Sequence, residues 1–335
     1  MKIAVIDDYQ DTFRKLRCYS KLYGHELLIY NDTEKDPIRL AERLREAEAV
    51  ILTQARSPFP RVVIERLPKL KLISQTGRSS GHIDIDACTE LGVIVSAAGF
   101  ATPHPTAELT WGLILAALRH IPYEVERLKQ GYWQSTVGIS VQGKTLGIYV
   151  YGRIGSLVAK VGRALGARVV CWGREGSLAR AREAGYEVAQ SRNAFFAESD
   201  ILSLHLPLTT ETRGIVTAED LARMKSNALI VNTSRAGIIA EGALVQALKT
   251  GRPGSAAVDV FEDEPVIGAS HPLLEMDNVI ATPHLGYVEK DNYELYYGLA
   301  IDQILAYAIG NPANVLNPEA IGKNQKLKVS GWEKT

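Results

Sequence analysis

The sequence predicts an α/β protein built from two doubly wound parallel-sheet units. Three observations carry that expectation. The chain has 335 residues, and at roughly 150 residues per domain that is enough for two domains with separate cores. Short apolar runs alternate with helical stretches from one end to the other, the pattern of parallel strands covered by helices on both faces. No Gly/Ser-rich or Pro-rich linker, repeat or low-complexity tract interrupts the alternation.

In the first half the strand candidates are Lys2–Ile6, Leu27–Tyr30, Ala49–Thr53 and Leu70–Ser74, separated by helical segments such as Pro37–Ala47 and Arg61–Leu67. Two prolines bracket His104 in Gly99–Thr106, so that stretch reads as a loop. The apolar segment Ala107–Ile121 then reads as a long helix that rigidly connects the two sets of strands. The second half offers Thr145–Val150, Arg168–Trp172, Asp200–Leu204, Ala228–Val231, Ser255–Val258 and Asn278–Ala281, with helical signals at Gly155–Leu165 and Ala240–Thr250. The tail after Gly310, rich in Asn, Pro and Lys, is expected to wrap the surface.

Composition narrows the function. Lys plus Arg and Asp plus Glu both number 38, so the chain lacks the bulk positive field of a general nucleic-acid or anionic-membrane binder. Hydrophobic residues at 46% and charged residues at 23% describe a folded chain rather than a disordered one. Cys18, Cys88 and Cys171 are odd in number and far apart, giving neither a disulfide framework nor a metal pair, and they fit a reducing compartment. Met1–Asp8 meets acids at once and reads as a first strand rather than a leader. The apolar stretch Leu109–Leu118 is about half the length that spans a bilayer. The expectation is a cytoplasmic, soluble protein with no nucleic-acid, membrane or metal partner.

A strand runs into a helix at Gly147–Gly155, where a dinucleotide fingerprint belongs, because helix N-terminal amides and the helix dipole attract pyrophosphate. Gly152 and Gly155 fill the second and third positions of G-x-G-x-x-G, but Val150 stands at the first, which implies strain or a shifted path in the turn. The next strand, Arg168–Trp172, ends in Gly173-Arg174-Glu175. Gly173 occupies the place where an acid usually takes the ribose hydroxyls. Without that carboxylate, and with Arg174 beside it, the site leans toward NADP over NAD, although Glu175 could still serve as the acid.

Three later stretches each place a chemically useful side chain just past a strand: Asn232–Gly237, Asp259–Pro265 and Thr282–Gly286. In an open α/β sheet, ligands sit beyond the carboxyl ends of the strands. Reducing a 2-oxo acid requires a hydride at the carbonyl carbon, a proton at its oxygen and a cation for the carboxylate. Arg235 offers a planar fork for the carboxylate. His284 is the natural acid–base. Glu264, in contact with the imidazole, would favour its protonated form, and Asp259 is a candidate for the nicotinamide side. Taken singly, each has an ordinary structural explanation; in order behind a phosphate cradle, they form one catalytic set.

Together these stretches resemble the D-isomer-specific 2-hydroxyacid dehydrogenase family, in its phosphoglycerate dehydrogenase and hydroxypyruvate reductase-like branch. The likeness rests on Val258-Asp259-Val260-Phe261 with Glu264-Pro265, on Thr282-Pro283-His284-Leu285-Gly286, on Asn232–Gly237 and on Gly152-Arg153-Ile154-Gly155. Pro105–Thr110 and the closing Asn314–Pro318 extend it over nearly the whole chain. The resemblance implies reversible, NAD(P)-dependent hydride transfer between a 2-oxo acid and a D-2-hydroxy acid. Arg235 would bind substrate, and Glu264 would tune His284. Arg153 and Ile154 would lie on the pyrophosphate, Asp259 and Gly286 at the nicotinamide, and Thr110, Thr233 and Ser234 near the cofactor. Backbone amides of Arg78 and Ser79 would hold the substrate carboxylate, although Ser79 and Gly81-His82 depart from the family's usual loop.

It further implies a flavodoxin-like substrate domain, 1–98 and 288–335, interrupted by a Rossmann dinucleotide-binding domain, 99–287, and a homodimer formed through the latter. Two other functions use related folds. The C-terminal-binding corepressors sense dinucleotide and recruit partners, usually with extra tails. A formate enzyme would carry Gln in place of Glu264.

Gln75, Arg78 and His82 are candidate specificity residues, and Arg78 could favour a second anionic group on the substrate. His25, His120, His205 and His271 read as structural, Asp7 and Asp8 as turn residues, and Tyr151 and Trp172 as packing.

Overall fold

Short runs of Ile, Val, Leu and Ala become the strands of two all-parallel sheets. The structure is a computed structural model that describes residues 1–99 and 102–323. Phe100 and Ala101 of the predicted loop, and the tail beyond Lys323, lie outside the described residues. The described residues within Met1–Ala101 and Glu289–Thr335 form one unit, and Thr102–Val288 form the other.

The first unit contains β1 (Lys2–Val5), β2 (Glu26–Ile29), β3 (Ala49–Leu52), β4 (Leu72–Thr76) and β5 (Ile94–Ala98). They are ordered β2-β1-β3-β4-β5, the doubly wound order of flavodoxin-like sheets. All four residues of β3 are buried, as a strand covered on both faces requires. Helix Pro37–Leu44 packs its Leu40, Ala41 and Leu44 inward. It starts where Asp36 accepts from the amides of Ile38 and Arg39 with Pro37 next in line, a cap worth about 1 kcal/mol.

Strand β5 was absent from the expected set. Its free edge is covered by the chain's closing stretch: Leu316 donates to the Val95 carbonyl (2.8 Å) and Ala97 to the Asn314 carbonyl (3.0 Å), while Asn317 Oδ1 accepts from the Val95 amide. Helix Lys290–Ala308 crosses the same unit. Ser74 Oγ donates to the Ala300 carbonyl, and Tyr297 meets Thr53 with 2.9 Å between hydroxyls. Asp7 and Asp8 are buried; Asp8 takes the amides of Thr12 and Phe13, and Asp7 accepts from Thr33 and Ser57.

The second unit contains β6 (Thr145–Tyr149), β7 (Arg168–Trp172), β8 (Glu187–Val188), β9 (Ile201–Leu204), β10 (Leu229–Asn232), β11 (Ser255–Val258) and β12 (Val279–Ala281). Their order, β8-β7-β6-β9-β10-β11-β12, is the Rossmann order 3-2-1-4-5-6 with one further strand, and its switch point lies between β6 and β9. Strand β8, two residues long, was not expected.

The helix expected at Ala107–Ile121 runs instead from His104 to Leu118. Pro103 and Pro105 stand at its very start, where no intrahelical amide is required, so they open the helix rather than mark a loop. Its end is set by Pro122: the chain turns left-handed at His120 (φ 52°) and a second helix, Ile121–Lys129, begins there. Among the described residues, no helix is long and apolar enough to cross a membrane.

Candidate active site

Every strand of the seven-stranded sheet runs the same way, so the stretches after β6, β7, β10, β11 and β12 all emerge along one edge. After β6, Val150 adopts φ 74°, and helix Arg153–Ala164 begins past Gly152 with no side chain capping it. A Cβ on Gly155 would stand 2.4 Å from the Val150 carbonyl oxygen and 3.1 Å from Ile148 Cγ2, so only glycine lets the helix approach β6 this closely. A Cβ on Gly152 would meet only Val150 Cγ1, at 3.7 Å. The backbone there borders open space at a helix N-terminus, an arrangement that fits a pyrophosphate.

The valine therefore keeps the left-handed path of the fingerprint glycine. That conformation costs a residue with a Cβ roughly 1–2 kcal/mol, and the half-buried isopropyl group packing on the adjacent core returns only part of it. Val150→Gly is expected to raise stability by about 1 kcal/mol, read as a higher midpoint in denaturant. A lower midpoint would show that packing outweighs strain.

After β7, Arg174 is exposed and precedes helix Glu175–Glu183. The Glu175 carboxylate pairs with Arg182 Nη1 at 2.6 Å, so the alternative ribose acid is engaged on the helix surface. His205 lies beside Gly155, its Nε2 3.0 Å from Ser203 Oγ. Burial pushes its imidazole down to about 4, leaving it neutral at pH 7.

The three candidate stretches leave neighbouring strands at one level: Asn232 pairs with Val258, and Val258 with Ala281. Two inter-strand spacings, roughly 10 Å, separate the exits of β10 and β12. Past β10, Asn232 accepts from the Ser234 amide and donates to the Arg235 carbonyl, a side-chain turn that fixes the Arg235 backbone. The Arg235 side chain is exposed, with Nη1 donating to the Ser234 carbonyl at 2.7 Å.

Past β12, His284 sits at φ 55°, and its Nδ1 is 2.6 Å from Glu264 Oε2. The other Glu264 oxygen accepts from the Phe261 amide at 2.9 Å, so the carboxylate is held at both ends. Asp259, fully buried, anchors the histidine loop. Its Oδ1 accepts from Thr282 Oγ1 (2.6 Å) and the Leu285 amide (2.7 Å), and its Oδ2 from the Gly286 amide (2.8 Å). Burial raises the Asp259 carboxyl above its ordinary range, against the three hydrogen bonds that favour the anion.

A hydroxyl chain ties this loop to the Arg235 stretch. Thr106 Oγ1 donates to the Gly286 carbonyl (2.8 Å), and Thr110 Oγ1 donates to the Thr106 carbonyl (2.7 Å). With its one proton committed, Thr110 must accept from Thr233 across 2.8 Å. Ser234 Oγ donates to the Leu204 carbonyl. The observed partners of the Thr110, Thr233 and Ser234 hydroxyls are thus the scaffold itself.

In the other unit, Arg78 and Ser79 lie exposed in the turn after β4, following Gly77 (φ 84°). Gln75 is a buried strand residue whose amide donates to the carbonyls of Gln54 and Thr76, rather than a loop residue. Both His82 ring nitrogens are buried without a hydrogen-bond partner, and burial pushes that imidazole down to about 4. One further pair carries no signal in the sequence: His271 Nε2 lies 2.8 Å from Oε2 of Glu262, two residues before Glu264.

Comparison with known proteins bears on the family and the fold. The family model for the "D-isomer specific 2-hydroxyacid dehydrogenase, NAD binding domain" matches residues 111–286. D-3-phosphoglycerate dehydrogenase of Methanocaldococcus jannaschii is 40% identical over 86% of this chain, which spans 56% of that relative's length. Glyoxylate reductase of Aeropyrum pernix is 35% identical over 92% of this chain and 94% of its own. A solved oxidoreductase structure from Ralstonia solanacearum, given there as a candidate D-3-phosphoglycerate dehydrogenase, superposes with a TM-score of 0.92. It is 50% identical, with 96% of this chain and 98% of that one covered. With the two parallel sheets and the glycine cradle on one side, and a family model and a near full-length relative on the other, the chain belongs to the D-isomer-specific 2-hydroxyacid dehydrogenase family.

Proposed function

We propose that the protein reduces a 2-oxo acid to the D-2-hydroxy acid, reversibly, with a nicotinamide dinucleotide bound at the β6 cradle. The observation that carries this reading is the 2.6 Å pair between Glu264 and His284, on a loop anchored by Asp259 and leaving the sheet two strands from the Arg235 stretch. The guanidinium of Arg235 holds the substrate carboxylate in a two-pronged grip. With Nδ1–H donated to Glu264, Nε2 of His284 is the atom that passes a proton to the carbonyl oxygen and takes it back in the oxidative direction. A bound nicotinamide supplies or accepts the hydride. Amides of Arg153 and Ile154 receive the pyrophosphate, Asp259 and Gly286 border the nicotinamide, and the substrate domain contributes the amides of Arg78 and Ser79 to the carboxylate. Arg78 favours substrates with a second anionic group.

NADP is the preferred dinucleotide in this reading. Gly173 brings no carboxylate to repel a 2′-phosphate, Glu175 is committed to Arg182, and Arg174 is exposed at the strand end. Arg174→Ala is expected to cut kcat/KM with NADPH about tenfold, the worth of one charge-assisted hydrogen bond, and to leave the NADH value unchanged. Equal losses with both cofactors would remove Arg174 from the phosphate.

The protein is further proposed to act as a cytoplasmic homodimer. Its three cysteines are buried and unpaired, as suits a reducing compartment. Past helix Ile121–Lys129 the dinucleotide-binding unit exposes Tyr132, Trp133 and Val137 at 52%, 78% and 93%, large apolar side chains whose exposure supports a second copy as the partner. A sedimentation mass of twice the chain is expected; a single-chain mass at micromolar concentration would refute the dimer.

One panel tests the whole reading: oxidation of NADPH and NADH in the presence of glyoxylate, hydroxypyruvate, phosphohydroxypyruvate, pyruvate, and branched and aromatic 2-oxo acids. Turnover of at least one acid to the D-isomer is expected; no turnover of any would overturn the proposal.

A further inference from the structure

The side chain that supports His284 sits in an awkward place. Glu264 lies in the irregular stretch between β11 and the short 3-10 helix Pro272–Glu275, and residues 267–270 of that stretch are exposed. A surface excursion of this kind is normally among the more mobile parts of a fold. Yet the chemistry needs the carboxylate held within about half an ångström of its working position.

Two features close the excursion at its base. Phe261 and Leu273 bury their side chains in the core on either side of it. Between them, His271 Nε2 meets Glu262 Oε2 at 2.8 Å, linking residues nine apart in sequence. His271 Nδ1 accepts the Leu273 amide at 3.2 Å, so its proton belongs on Nε2, donated to Glu262, and a neutral imidazole satisfies both contacts. The His271 ring also packs edge-on against Phe261, 5.0 Å between centroids. Phe261 is the residue whose amide holds Glu264 Oε1. Two routes therefore run from His271 to the catalytic carboxylate, one through Glu262 and one through Phe261.

We propose that Glu262 and His271 are positioning residues: their hydrogen bond closes the 262–271 excursion and thereby keeps Glu264 on His284. The inference rests on the role given above to the Glu264–His284 pair. Loss of the bond frees the excursion to sample conformations in which Glu264 has left the imidazole, so a smaller fraction of the protein is competent at any moment. Affinity for the dinucleotide, whose cradle lies at β6, is untouched.

The test compares Glu262→Ala, Glu262→Gln and Glu264→Gln, and the double variant Glu262→Ala/Glu264→Gln. Glu262 is exposed, so its truncation should leave the fold intact, checked by an unchanged thermal midpoint. Glu262→Ala is expected to lower kcat about tenfold with the KM for NADPH within twofold. Glu262→Gln keeps an acceptor for His271 and should recover at least half of the wild-type kcat. In the Glu264→Gln background, Glu262→Ala should cost nothing further, because the group it positions is already gone.

A second readout needs no substrate. The His284 Nδ1 proton, in a 2.6 Å bond to a carboxylate, should give a far-downfield proton resonance. That resonance should be lost in Glu264→Gln and broadened in Glu262→Ala. A wild-type kcat and an intact resonance in Glu262→Ala would overturn the proposal, as would a full tenfold loss persisting in the Glu264→Gln background. If Glu264→Gln itself left kcat and the resonance unchanged, the His–Glu reading would fail first, and this inference with it.

Discussion

Replacing His284 by glutamine is expected to lower kcat by about 10³-fold while leaving dinucleotide affinity within about twofold, measured by turnover and by NADPH fluorescence titration. Glutamine can place a nitrogen near the Nε2 position, but its amide neither takes up nor releases a proton near neutral pH. The loss is therefore that of the proton transfer rather than of shape. Positive φ values are less unusual for His and Asn than for β-branched residues, and the loop around residue 284 is fixed from Asp259 through backbone amides of Leu285 and Gly286. The substitution should leave that loop in place, and a lost kcat will report on chemistry. Turnover at the wild-type level would mean that another group protonates the carbonyl oxygen, and the assignment of His284 would be wrong.

Most of the architecture was legible in the sequence because parallel strands buried on both faces announce themselves as continuous apolar runs. The two strands that were not anticipated carry little of that signal. β8 is the two residues Glu187–Val188, and β5 ends in Ser96-Ala97-Ala98, small side chains with weak hydrophobic contrast. The start of helix His104–Leu118 is hard to read because Pro103 and Pro105 look like loop markers, although a helix tolerates proline in its first turn. Its end is equally hidden, because the break at His120 is imposed by Pro122 at the start of the next helix.

Residue types and their order past the strands single out Arg235, Glu264 and His284 as candidates. How they are held was not legible there. Asp259 reads in the sequence as a candidate for the nicotinamide side, and in the structure its carboxylate anchors the histidine loop through Thr282, Leu285 and Gly286; Thr106 reaches the Gly286 carbonyl from 180 residues away. Glu262 and His271 share no strand or helix period, so no pattern in the sequence joins them. Hydrogen bonds of this kind exist only once the strands have set the level at which each loop begins.

The second large effect concerns Arg235. Arg235→Ala is expected to reduce kcat/KM for the 2-oxo acid by about 10²–10³-fold, mostly through KM, with thermal stability unchanged within about 0.5 kcal/mol. The side chain is exposed, and among the described residues its hydrogen bond is to the carbonyl of its neighbour Ser234, so truncation leaves no buried group unpaired. The backbone path is set independently by Asn232, which binds both the Ser234 amide and the Arg235 carbonyl. What disappears is a forked, charged donor for the substrate carboxylate, and losing one side of such a pair costs about 3–4 kcal/mol, two to three powers of ten. Arg235→Lys should recover only part of this, since an ammonium offers a point charge in place of two parallel donors. The contrast between the two substitutions separates charge from geometry: a lysine as good as arginine would mean that only the field matters. An unchanged KM in Arg235→Ala would move the carboxylate anchor away from β10.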